Sequence, residues 1–152
     1  MRIAFLLAFI AQVITPSLQK PGHATIVASP PAVSSAAGTK LSLFVDVTPK
    51  PGMHVYAPGN ADYIPITIKL AAPATIKPGK IAYPKSDVMT LADEKVSVFQ
   101  KPFRLTQDVT LDKSAQVGST IVVPATVNYQ ACDDKVCYPP ESASVSWTVM
   151  VK

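Results

Sequence analysis

Residues 120–151 read TIVVPATVNYQACDDKVCYPPESASVSWTVMV. Two stretches of alternating apolar residues flank a short segment that carries both cysteines of the chain. Ile121, Val123, Ala125, Val127 and Tyr129 share one register, and Val145, Trp147, Val149 and Val151 share another. Successive side chains of a strand point to opposite faces, so each register is the buried face of a half-buried strand. The two strands read as a β-hairpin with Asp133-Asp134-Lys135 as its turn. In such a hairpin Cys132 and Cys137 can sit opposite each other, within the Cα spacing a disulfide requires.

The same pattern extends upstream. Leu41, Leu43, Val45 and Val47 alternate with Ser42, Phe44, Asp46 and Thr48, and Pro49-Lys50-Pro51-Gly52 ends that strand as a turn. Met53 to Ala57 reads as a short strand. Ile64, Ile66, Ile68 and Leu70 form another, with Pro65 marking an edge or a bulge. Lys77-Pro78-Gly79-Lys80 reads as a turn before Ile81-Ala82-Tyr83-Pro84. Residues 85–95 read as a loop or a single helical turn. Strand character returns at Val96 to Phe99 and at Phe103 to Leu111. About eight short strands at intervals of roughly 8–12 residues are the signature of an all-β, antiparallel sandwich.

Composition agrees. The 152 residues fit one domain, and 48% apolar with only 16% charged residues can build a core. The 15 prolines suit short strands and work against long helices. The net charge is +4 with scattered lysines, so no nucleic-acid or membrane patch is indicated.

At the N-terminus, Arg2 and the apolar run Ile3 to Ile14 have the form of a secretory signal peptide, too short to span a bilayer. A core helix is the other reading of that run. Residues 1–24 are expected to be the signal, with small residues suited to cleavage at Thr15-Pro16-Ser17 and at Gly22-His23-Ala24. Residues 25–38, rich in Ser, Ala and Pro, read as a leader segment, and 39–152 as the domain. No second domain and no membrane span are expected after the signal. Export would place the two cysteines where a disulfide persists.

Two functions for the pair remain open on residue chemistry. A bridge closing about six residues adds roughly 2 kcal/mol in the chain-entropy model, little for a staple. A pair at an exposed tip is well placed for a partner's thiol. Asp133 and Asp134 disfavour a thiolate at Cys132 and Lys135 partly offsets them. A metal set of Cys132, Cys137 and His54, with Met53 or Met89, would suit copper, but nothing in the spacing requires it.

The segment Tyr129-Gln130-Ala131-Cys132 to Cys137-Tyr138-Pro139-Pro140-Glu141 resembles the active-site hairpin of the N-terminal periplasmic domain of the thiol:disulfide interchange protein DsbD. Gly52-Met53-His54-Val55-Tyr56, Ile64-Pro65-Ile66-Thr67 and Ala82-Tyr83-Pro84 resemble landmarks of the same family, over about residues 38–150. The resemblance implies an immunoglobulin-like sandwich with the pair on a hairpin, in the periplasm. It implies that the dithiol, with no diffusible cofactor, passes electrons to periplasmic thioredoxin-like oxidoreductases. Cys137 would form the mixed disulfide and Cys132 would resolve it. Tyr56 and Tyr138 would shape the pocket beside His54, and a cap loop would fall at Met89-Thr90-Leu91-Ala92. The family's best-known member has one more residue between its cysteines and an aromatic cap; here Met89 and Leu91 take that place. Without the family's membrane and thioredoxin-like domains, a separate membrane reductant would be needed. The rivals are a non-redox binding module with a permanent hairpin disulfide and a copper-binding chaperone.

Overall fold

The computed structural model describes residues 22–152 except Ala92. The apolar run Ile3 to Ile14 lies outside the described residues. Twelve strands form three four-stranded sheets. The first sheet is ordered β1 (Ala24–Ala28), β3 (Lys40–Pro49), β9 (Phe103–Leu111), β6 (Ile76–Ala82). The second is β2 (Ala32–Ser35), β12 (Glu141–Val151), β10 (Thr120–Tyr129), β5 (Thr67–Leu70). The third, small sheet is β11 (Ala131–Cys132), β4 (His54–Tyr56), β8 (Glu94–Phe99), β7 (Asp87–Leu91). All pairings are antiparallel except β2 with β12. The fold is the expected all-β, immunoglobulin-like sandwich. Among the described residues no helix is long and apolar enough to cross a membrane.

The alternating registers become the core. Leu43, Val45 and Val47 of β3 and Leu105, Val109 and Leu111 of β9 join Val123, Ala125 and Val127 of β10 and Val145, Trp147, Val149 and Val151 of β12 in one buried cluster. Trp147 is fully buried, and its Nε1–H donates to the Phe44 carbonyl at 3.1 Å, a hydrogen bond from the second sheet to the first. β10 and β12 pair without interruption from Thr120↔Met150 to Tyr129↔Glu141. β5 is an edge strand and starts after Pro65, as the missing amide hydrogen requires.

Three readings need correction. Residues 25–38, set apart as a leader, supply β1 and β2 to the two main sheets. Both strands sit at sheet edges with neither face fully covered, so their sequence lacks a clean apolar register. Lys77–Lys80 is not a turn but part of β6, which carries a register shift between Pro78 and Ile81. The buried amide of Gln107 fills that irregularity, donating to the Gly79 carbonyl at 3.1 Å and to the Asp108 carbonyl at 2.8 Å. Gly79 is required there, since a Cβ would stand 2.9 Å from the Asp108 oxygen. Within residues 85–95, Asp87–Leu91 and Glu94–Lys95 are strand, neither loop nor helical turn: β7 and β8 form a hairpin in register Leu91↔Glu94. Asp93 takes a φ of 69° in its turn, a left-handed conformation that Asp adopts more readily than most residues.

Candidate functional site: a cysteine pair at a two-sheet junction

The long hairpin does not carry its tip in its own sheet. After Tyr129 the chain leaves β10, and Ala131 and Cys132 pair instead with Val55 and His54 of β4. The cysteine tip is therefore rooted in the second sheet and held against the third. Cys132 and Cys137 form a disulfide and face each other as an isolated antiparallel bridge with Cα atoms 4.1 Å apart. Backbone bonds frame them on both sides: Tyr138 N–H donates to the Ala131 carbonyl and Asp133 N–H to the Val136 carbonyl, each at 3.0 Å.

The two sulfurs are not equivalent. Cys132 is 1% exposed and belongs to a second buried cluster with Tyr56, Val96 and Val98. Cys137 is exposed. The Tyr56 hydroxyl lies 3.1 Å from the Cys132 sulfur and 3.3 Å from the Cys137 sulfur. A disulfide carries no hydrogen, so the hydroxyl is the donor to both. Burial, and then the neighbouring Tyr63, push the Tyr56 phenol above its ordinary value, so it keeps that proton.

Loop contacts fix Tyr56. Tyr63 stacks on its ring at 4.3 Å. The loop that presents Tyr63 is held by Asn60, which bonds Ser97 of β8 through both its amide oxygen and its nitrogen. Ile64 N–H donates to the side-chain oxygen of Gln130, which in turn donates to the Tyr138 carbonyl.

At the tip, Asp133 is the organising residue. One carboxylate oxygen accepts from the amides of Lys135 and Val136 at 2.8 and 2.7 Å, and the other from the Tyr138 hydroxyl at 2.9 Å. These bonds hold its pKa below the ordinary value, the Lys135 amide most. The same bond raises that of Tyr138. Tyr138 stacks on His23 at 3.9 Å. His23 is tied by its ring and its amide to Glu141, at 2.7 and 2.8 Å. The N-terminal segment thus straps the base of the hairpin.

The expected site residues converge in part. His54, Tyr56, Leu91, Cys132 and Cys137 line one cavity of about 140 Å³. Met89 packs on the cluster beneath, and its sulfur accepts from Gln100. Tyr138 flanks the tip instead of the cavity. Met89 and Leu91 are strand residues of β7, not members of a loop. Among the described residues no three His, Cys, Asp or Glu side chains converge as a metal site. Tyr63, His23 and Glu141 are the neighbours that pattern reading missed. Asp133, read as a turn residue and a charge beside Cys132, also bonds the amides just ahead of it, as Asp at a turn does.

Two groups begin the acid response, and Asp46, Asp112 and Asp133, also held below the ordinary carboxylate value, deepen it at the lowest pH. Burial holds His54 below its ordinary 6.5, against the opposing pull of Asp134 and Asp133. Burial raises Glu141, but bonds from His23 and Tyr129 outweigh it and leave it below 4.5. In both cases the unfolded chain binds more protons than the folded one, so stability falls as pH falls. The melting temperature of the oxidised protein is expected to decline below about pH 6.5 and more steeply below about pH 4.5. Glu141→Gln should lessen the lower part and leave the upper part unchanged, the lowered aspartates keeping the remaining slope. A melting temperature that rises on acidification would contradict both assignments.

The family model described as the N-terminal part of the thiol:disulfide interchange protein DsbD matches residues 23–148. The N-terminal periplasmic domain of ScsB from Proteus mirabilis superposes with a TM-score of 0.58 at 11% identity, over 87% of this chain and 49% of that one. A complex between the DsbD N-terminal and PilB N-terminal domains from Neisseria meningitidis gives 0.50 at 17% identity, over 90% and 88%. The reduced DsbD N-terminal domain of Neisseria meningitidis gives 0.49 at 19%, over 72% and 78%. No curated protein sequence matches.

Proposed function

We propose, since the chain belongs to the family of DsbD N-terminal domains, that it is an exported module which exchanges disulfides through Cys132 and Cys137. The observation that carries this is the inequality of the sulfurs: Cys137 is exposed at the hairpin tip while Cys132 is buried behind it. In the reduced form the Cys137 thiolate attacks a disulfide of an oxidised partner. One partner sulfur leaves as a thiol and a mixed disulfide remains. Cys132 then attacks Cys137, the second partner thiol departs, and the Cys132–Cys137 bridge forms. Two electrons and two protons pass to the partner, and no diffusible cofactor is needed.

The partners in this reading are periplasmic thioredoxin-like oxidoreductases. A separate membrane reductant restores the dithiol. The complex between DsbD N-terminal and PilB N-terminal domains supports docking of another domain on this fold. The test is the equilibrium of the pair against a glutathione redox buffer. A midpoint within reach of the buffer is expected. A bridge that stays closed, with a potential below about −300 mV, would mark a structural staple and leave a binding module.

A further inference from the structure

One residue lining the cavity beside the disulfide carries a buried polar atom without a partner among the described residues. Nε2 of His54 is sealed from solvent and makes no hydrogen bond among the described residues, on a side chain 2% exposed. An unpaired buried polar group is costly, and buried polar groups in folded proteins are almost always paired. His54 is the cross-strand partner of Cys132, so the two side chains project to one face, and both line the same cavity. Tyr56 meets the imidazole edge-on at 5.6 Å. Tyr63 and Leu91 complete the wall, and Asp133, Asp134 and Lys135 are the charged groups at the rim. In the closed bridge neither sulfur has a hydrogen to offer. Reduction gives an S–H to Cys132, the cross-strand partner of the residue that carries the unpartnered imidazole nitrogen.

We propose that His54 is the proton acceptor for Cys132, generating the thiolate that resolves the mixed disulfide at Cys137. The inference rests on the exchange reading above. The imidazole takes the Cys132 thiol proton, and the thiolate attacks the Cys137 sulfur. The Cys132–Cys137 bond forms as the bond from Cys137 to the partner breaks. The partner sulfur leaves with the electron pair and is protonated by water, and His54 later returns its proton to water. The buried cysteine needs such help, because a thiolate and not a thiol is the nucleophile, and burial beside Asp133 and Asp134 opposes its charge. Burial also keeps His54 neutral near pH 7, in the form that accepts a proton.

The test uses the reduced protein and the aromatic disulfide 5,5′-dithiobis(2-nitrobenzoate). Attack by Cys137 releases one thionitrobenzoate, and resolution by Cys132 releases a second. His54→Phe is expected to slow the second release on the order of a hundredfold at pH 7, the usual worth of a positioned base. Its rate should then rise only as the pH passes the ordinary thiol value of about 8.5, since burial opposes the Cys132 thiolate. The first release serves as the internal measure of a folded tip. His54→Gln keeps a polar group of similar reach but cannot take the proton, and it should be slow as well. A second release at the wild-type rate in either variant overturns the proposal. If the reduced wild-type protein releases no thionitrobenzoate at all, the exchange reading itself fails, a result distinct from the failure of His54.

Discussion

Cys137→Ser is expected to abolish disulfide exchange, while Cys132→Ser turns the protein into a trap for its partner. The asymmetry follows from burial. A thiol at position 132 is 1% exposed, beneath the Tyr56 hydroxyl and beside Val96 and Val98. A partner's disulfide cannot align with it there, and in-line approach is what exchange requires. With Cys137 alone, the exposed thiolate still attacks, but nothing within reach resolves the product. A mixed disulfide should therefore accumulate and run as a heavier band on a non-reducing gel, vanishing with added dithiothreitol. Trapping through position 132 instead would reverse the assignment of roles. Exchange at the wild-type rate in Cys137→Ser would remove the mechanism.

The second large effect is structural. Trp147→Ala should destabilise the oxidised protein by about 3–5 kcal/mol, the usual cost of emptying a buried aromatic site. Trp147 is fully buried between the main sheets and supplies the hydrogen bond to the Phe44 carbonyl. Its removal leaves a cavity and takes one of two donors from the Phe44 carbonyl, which keeps the Ser29 N–H at 3.0 Å, and the two costs share one site, so they are not separately additive. Urea unfolding followed by circular dichroism is the measurement, because the variant lacks the only tryptophan of the chain. A lower midpoint at unchanged slope is expected. A loss below about 1 kcal/mol would mean that the sheets are held elsewhere. Trp147→Phe should fall between the two proteins.

The parts of the fold that were legible are those with one wet face and one dry face. Leu41 to Val47, Ile121 to Tyr129 and Val145 to Val151 announce themselves because every second side chain enters the core. Phe103 to Leu111 was read correctly even though Gln107 occupies a buried position, since the residues around it keep the register. Pattern reading fails where local chemistry and tertiary context disagree. Pro78-Gly79 is turn chemistry that the sheet uses for a register shift. Ala24–Ala28 and Ala32–Ser35 are shallow edge strands whose small residues look like linker.

The site divides the same way. The cysteine pair was legible from the hairpin, while its pairing with His54 of β4 and the approach of Leu91 of β7 across β8 belong to the third sheet, which no hairpin pattern reports. Tyr63 was missed because it sits in an aperiodic loop and reaches Tyr56 only by the Asn60 and Gln130 contacts. His23 and Glu141 meet across almost the whole described chain, a distance over which no local pattern reports.

The position of β12 has a consequence for when this protein can finish folding. This strand pairs with β10 on one side and with β2, more than a hundred positions earlier in the sequence, on the other, and it carries the tryptophan that joins the sheets. Contacts of such sequence separation close late, since the entropy of the intervening chain must be lost before they form. Until residues 141–151 join, the second sheet lacks one of its two central strands and the base of the cysteine hairpin has only one strand. A chain grown only as far as residue 140 therefore keeps that sheet open, and the cysteine tip takes its shape only once β12 has emerged.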